Sequence, residues 1–220
     1  MNRTSHRLLL ALLALPAFLG LSACQGTPRR PVFTGPRPLS ILVLPPLDET
    51  LEEGASALTL ATVTAPLAER GYYVFPVAVV DLMMRENGLP TPFEMHQVPL
   101  EKLVEVFDPD AVLYLKVTEW GSSYQILASV TRVRMEARLV DARTGQKLWS
   151  GVRVTSSSSG SGGGGIGGLL IGAIVGQVAN SLSDPSYDLA RQNSWNLFTN
   201  PRRGLPLGLY HSDFASGEVP

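Results

Sequence analysis

The chain has 220 residues, 45% hydrophobic and 17% charged, with 18 Lys and Arg against 19 Asp and Glu and a formal net charge of -1. That composition excludes wholesale disorder, supplies enough apolar surface for a packed core, and gives no global attraction to nucleic acid. With Cys24 as the single cysteine, an intrachain disulfide is excluded.

Residues 1–23 read as an export signal. Arg3 and Arg7 form a positive start, and Leu8–Leu21 is an apolar stretch of signal type, shorter than the roughly 20 residues of a membrane span. This leader holds two arginines and no acid, so the remainder of a net -1 chain sits near -3. Ser22 and Ala23 supply the small residues a signal peptidase needs. The run Leu21-Ser22-Ala23-Cys24 resembles the bacterial lipobox, which implies cleavage between Ala23 and Cys24 and lipidation of the Cys24 thiol. The expected covalent additions are a diacylglycerol and acyl chains on Cys24, and no other cofactor. Several acyl chains give durable anchoring where one gives marginal binding. Gln25, by resemblance to the enteric sorting rule, points to the outer membrane, facing the periplasm or the cell surface.

Residues 24–38 are the expected tether. Pro28, Pro31, Pro36 and Pro38 give a spacer without periodicity. Extended at about 3.1 Å per residue, it reaches some ~40 Å from the anchor.

A domain is expected over residues 39–200. Leu39–Leu44 reads as a buried strand stopped by Pro45-Pro46. Residues 55–70 read as a helix with Leu58, Ala61, Ala65 and Ala68 on one stripe, broadened by Leu60, Val63 and Leu67. Pro66 is expected to kink or split it, and Gly71 to end it. Tyr72–Phe75 is the next strand, so a parallel crossover unit is predicted. Helices follow at 77–86 and 99–107. The pattern then turns to period 2. Ala111–Trp120 is a strand, and Ile126–Asp141 a long one with Val133, Met135, Ala137 and Leu139 on one face. Gly145 closes a turn, and Gln146–Thr155 returns. The predicted fold class is α/β: a mixed sheet, crossover unit plus antiparallel meander, flanked by helices.

Beyond the meander, 156–168 is a Ser/Gly loop. Its Gly160, Gly162 and Gly165 match G-x-G-x-x-G, a match expected by chance in so glycine-rich a tract and not read as a dinucleotide site. A glycine-faced helix is expected over 166–182. Gly168, Gly172 and Gly176 recur every four residues on one face and permit close helix approach. That face fits either tight packing on the sheet or a contact between protomers, hence a homo-oligomer. Asp184-Pro185 opens a last helix to about Phe198, with Tyr187, Ala190 and Leu197 inward. Residues 201–220 read as a tail.

The run Asp141-Ala142-Arg143-Thr144-Gly145-Gln146-Lys147-Leu148-Trp149 resembles the hairpin of domains with the TolB amino-terminal fold, shared by CsgG-type and LpoB-type lipoproteins. Leu44-Pro45-Pro46-Leu47, the run from Pro66 to Pro76, Asp110-Ala111-Val112-Leu113-Tyr114 and Val140 through Gly151 resemble a family of uncharacterised proteobacterial lipoproteins that includes a meningococcal surface lipoprotein. The resemblance covers about residues 39–200. It implies a TolB-like domain on an outer-membrane anchor, with envelope proteins as partners, a CsgG-like lipoprotein among the candidates. It implies no established activity.

No catalytic or metal motif accompanies this. The chain has no G-x-S-x-G, H-E-x-x-H or P-loop, and past the leader its histidines are His96 and His211, both read as solvated loop residues. Asp108 and Asp110 fit turn chemistry. The strongest candidate surface is Arg132, Arg134 and Arg138 on one strand face, beside Lys147, Trp149 and Arg153, because Arg and Trp are enriched at binding hot spots. The competing reading is a polar sheet face partly covered by the C-terminal helices. The expected function is non-catalytic protein binding in envelope assembly or regulation. The alternatives are a subunit of a CsgG-like secretion or pore complex and, more distantly, an envelope enzyme.

Overall fold

The computed structural model describes residues 31–50, 52, 54–125, 128–159 and 186–215. The leader with Ala23 and Cys24, most of the Ser/Gly loop, the expected glycine-faced helix and the Asp184-Pro185 step lie outside them.

In chain order the elements are β1 (Ser40–Val43), β2 (Leu47–Asp48), α1 (Ala55–Glu69), β3 (Tyr73–Val74), α2 (Val77–Glu86), α3 (Pro92–His96), α4 (Leu100–Phe107), β4 (Ala111–Gln125), β5 (Ala128–Asp141), β6 (Lys147–Ser159), α5 (Ser186–Thr199) and α6 (Ser212–Ala215). They form one sheet in the order β3-β1-β4-β5-β6, with β2 beside β4. β1 runs parallel to β3 and β4, and β4, β5 and β6 form an antiparallel meander. The fold is thus the predicted mixed α/β sheet, a crossover unit followed by a meander.

Past Ser40, β1 is apolar because Ile41, Leu42 and Val43 are buried on both faces. Ile41 and Val43 join Leu113, Leu115, Val133, Met135 and Leu139 beneath α1 and α5. Leu42 and Leu44 join Val112 and Val140 beneath α2, α3 and α4. The inward set on β5 is the predicted one. The hairpin after it is closed by Asp141, whose Oδ1 accepts from Arg143 N (3.1 Å), Thr144 N (2.8 Å) and Thr144 Oγ1 (2.8 Å). Gly145 supplies the positive φ of 71° that the turn requires.

Several expectations are corrected. On α1 the buried residues are Ala55, Thr59, Leu60, Thr62, Val63, Pro66 and Leu67, while Leu58, Ala61, Ala65 and Ala68 are exposed. The helix is apolar almost all round, so alanines could not set its orientation. The larger side chains did, with Thr62 Oγ1 meeting Ser194 Oγ of α5 at 2.7 Å. Nor does Pro66 split α1. It sits in the last turn, where its missing N–H forfeits a single bond. Tyr187 is 43% exposed rather than inward. The short helix α3 was not foreseen, although Thr91 and Glu94 form a capping box at its start.

Packing also reaches beyond 39–200 at both ends. Phe33 is buried in the first core, and Thr34 Oγ1 donates to the Lys147 carbonyl at 2.6 Å. Past α5, Leu205, Pro206 and Gly208 are buried. Tyr72 OH donates to Pro206 O (2.6 Å), Gly208 N to Arg70 O (2.7 Å), and the Arg70 guanidinium to Leu205 O. Gly71, at φ +83°, lets this segment lie close, since a Cβ there would collide with His211. Extended segments held by long-range bonds carry no periodicity, which is why the sequence left them as spacer and tail.

Candidate functional site

Alternation along β5 sends Arg132, Arg134, Glu136 and Arg138 to the face opposite Val133, Met135, Ala137 and Leu139. The helices α2–α4 cover only the end of that face near Val112 and Val140. The rest is open. The C-terminal helix α5 packs on the opposite face, so it does not cover these arginines.

The sheet register places the neighbours. Arg138 lies between Tyr114 and Ser150, Glu136 between Lys116 and Val152, Arg134 between Glu119 and Val154, and Arg132 between Gly121 and Ser156. The Arg138 guanidinium sits 4.9 Å over the Tyr114 ring, a cation–π contact. Arg134 pairs with Glu136 at 3.1 Å and Lys116 with Glu49 at 2.7 Å. Among the described residues neither Arg132 nor Arg138 has an acid partner.

A cleft of about 450 Å³ opens beside this row, bounded by His96, Tyr114, Arg138 and the Ser150–Val152 stretch. His96 was expected in a solvated loop. It ends α3 instead, with Nε2 2.9 Å from the Pro45 carbonyl and its ring edge-on to Tyr114 at 5.3 Å. Burial pushes its pKa below the ordinary 6.5, opposed by the Pro45 carbonyl and aided by the Arg138 charge. The imidazole is therefore neutral at pH 7 and its Nε2–H is committed to Pro45. Burial also pushes the Tyr114 phenol up, with Arg138 opposing.

Trp149 is not on this face. It is 8% exposed in the first core, 5.8 Å from Phe198 between ring centroids, and its Nε1 donates to Arg203 O at 3.3 Å. Trp149 pairs with Leu139 and Arg153 with Met135, both inward positions of β5, so Arg153 also belongs to the helical side. The difference comes from the β5–β6 register, which shifts between Leu139 and Val140 and so sets Trp149 opposite Leu139 rather than Arg138. Lys116, Tyr114 and His96, which the structure brings to the site, gave no sequence signal beyond the period-2 phase of β4. His211 lies against Gly71, not in a loose tail, and its Nδ1 accepts from Asp213 N at 3.2 Å. Asp110 Oδ2 accepts from Leu39 N and Ser40 N at 2.9 Å each, and Asp108 pairs with Arg143 at 2.9 Å, so both acids are structural. Among the described residues no cluster of His, Cys, Asp or Glu is placed to hold a metal, and no helix is long and apolar enough to cross a membrane.

A helix-flanked mixed sheet, with an arginine-bearing face left open among the described residues, defines an α/β domain. The chain belongs to the family described as "Putative lipoprotein GNA1162-like", whose model matches residues 31–208. It is 46% identical over 196 residues to "Putative lipoprotein NMB1124/NMB1162" of Neisseria meningitidis serogroup B, covering 86% of this chain and 89% of that one. The crystal structure of lipoprotein GNA1162 from Neisseria meningitidis is similar at 49% identity and TM-score 0.54, over 65% of this chain and 99% of that one. The LpoB C-terminal domain from Escherichia coli is a looser likeness, 17% identical with TM-score 0.38, over 64% of this chain and 94% of that one. The family resemblance read from the motifs at 44–47, 66–76 and 140–151 is thereby shown.

Proposed function

We propose that this chain is a lipoprotein held at the outer membrane by diacylglycerol and acyl chains on Cys24, acting without catalysis as a protein-binding component of envelope assembly or regulation. The leader and lipobox support the anchor, and the family's lipoprotein character agrees with it. One observation carries the binding role: a β-sheet face with Arg132, Arg134 and Arg138 is left open by both helical layers. Arginine forks favour recognition of carboxylates, and Arg is over-represented at interface hot spots. Affinity capture from envelope extracts, comparing the native chain with Arg134→Glu, tests this. Loss of a captured protein on charge reversal is the expected result. An unchanged set of captured proteins would count against the face.

A further inference from the structure

β6 is the long edge of the sheet; the opposite edge, β3, has two residues. From Gly151 to Ser157, β6 pairs with β5 on one side, and among the described residues no strand pairs with it on the other. Natural edges are guarded by prolines, bulges or inward charges. This stretch has none of these over Val152-Arg153-Val154-Thr155-Ser156 except Arg153, and Val152 is 56% exposed.

Two clefts follow this edge, one on each side of the sheet. The cleft described above holds Arg138 and Lys116. A second, of about 470 Å³, lies on the helical side and holds Arg153, Arg203, Asn196 and Asn200. Both share the Ser150–Val152 backbone. Successive side chains of a strand point to opposite faces, so a strand added at β6 would feed the two clefts alternately. Both clefts are basic. The one acid lining them, Glu136, is engaged by Arg134. Arg138 and Arg203 have no acid partner among the described residues, and Arg153 Nε is buried without a hydrogen-bond partner.

We propose that the free edge of β6 binds an extended, acid-bearing segment of a partner protein by strand addition. Its carboxylates meet Arg138 on one side and Arg153 and Arg203 on the other. Main-chain bonds to β6 supply affinity and the alternating side chains supply specificity. This rests on the protein-binding reading and names the chemistry of the partner.

The test uses the full chain with its anchor, purified in detergent, and a fluorescent peptide, acetyl-Thr-Glu-Glu-Thr-Glu-Glu-Thr-amide, whose adjacent Glu residues present carboxylates to both faces of a strand, followed by anisotropy. The peptide is expected to bind, and more weakly as salt rises. Replacing its Glu by Gln should weaken binding at least about tenfold, as loss of charge-assisted bonds does. Alternate N-methylation of its backbone should abolish binding. The double variant Arg138→Gln, Arg203→Gln, both exposed and so compatible with folding, should reproduce the tenfold loss with an unchanged circular dichroism spectrum. No binding at roughly 1 mM peptide, equal binding of the Gln peptide, or full binding of the N-methylated one would overturn the inference. If the peptide fails while capture of envelope proteins still depends on Arg134, strand addition is wrong and the protein-binding reading stands. If both fail, both are wrong.

Discussion

His96 is half-buried against Tyr114 near Arg138, with its Nε2 on the Pro45 carbonyl, and that has a consequence for pH. Its folded pKa lies below the ordinary 6.5, so the unfolded chain takes up a proton first as pH falls. The contribution of His96 is complete above about pH 6.5 and is lost as pH drops from there toward the folded pKa. Urea unfolding at pH 7.5 and 5.5 should therefore show lower stability at the lower pH, and His96→Gln should shrink the difference. A His96→Gln chain with the same pH dependence as the native one would show that another group titrates. Tyr114, which shares the contact, titrates far above this range. Asp141 stands outside it too: burial raises its pKa, but bonds from Thr144 and Arg143 prevail and lower it, keeping it ionised at both pH values.

At the scale of elements, the packing of α1 separates two kinds of residue that the sequence could not. Leu67 is fully buried between the sheet and α5, and Ala65 is exposed. Leu67→Ala should cost about 2–5 kcal/mol, the range for deleting a buried leucine side chain. Ala65→Glu should change stability by less than about 0.5 kcal/mol, as surface substitutions do. Chemical denaturation of the two variants checks this, and the opposite ranking would restore the alanine stripe as the inward face. The strands were legible because the middle of β5 alternates, and its inward residues were read correctly from Val133 to Leu139. The inward side of α1 was not, since its apolar residues surround the axis. Buried Thr59, Thr62, Asn193 and Ser194 at the α1–α5 seam look like surface residues in a sequence. Three of them are bonded: Thr62 to Ser194 across the seam, and Asn193 Nδ2 to the sheet, at 2.7 Å from Val133 O and 3.2 Å from Arg153 O, whereas Thr59 Oγ1 has no partner among the described residues. The arginine row was legible for the same reason as β5. Its partners from β4 and α3 were not, because register and a sequence separation of 42 residues between His96 and Arg138 leave no local trace.

For the whole molecule, the two helical layers are unequal. α1 and α5 cover one face of the sheet and α2–α4 only part of the other, so among the described residues the long meander presents an open face and, from Gly151 to Ser157, an unpaired edge together. A lipid anchor would confine that surface to an envelope membrane, where even weak partners meet it often. The most direct test is photo-crosslinking in intact cells from a photoreactive residue in place of Val152, with Ala61 on the outer side of α1 as the control site, in chains with Cys24 and with Cys24→Ser. The account predicts a discrete envelope-protein adduct from position 152 and none from 61, and predicts that Cys24→Ser moves the chain out of the membrane fraction and diminishes the adduct. Equal adducts from both positions, or a Cys24→Ser chain that keeps its membrane fraction and its adduct, would contradict it.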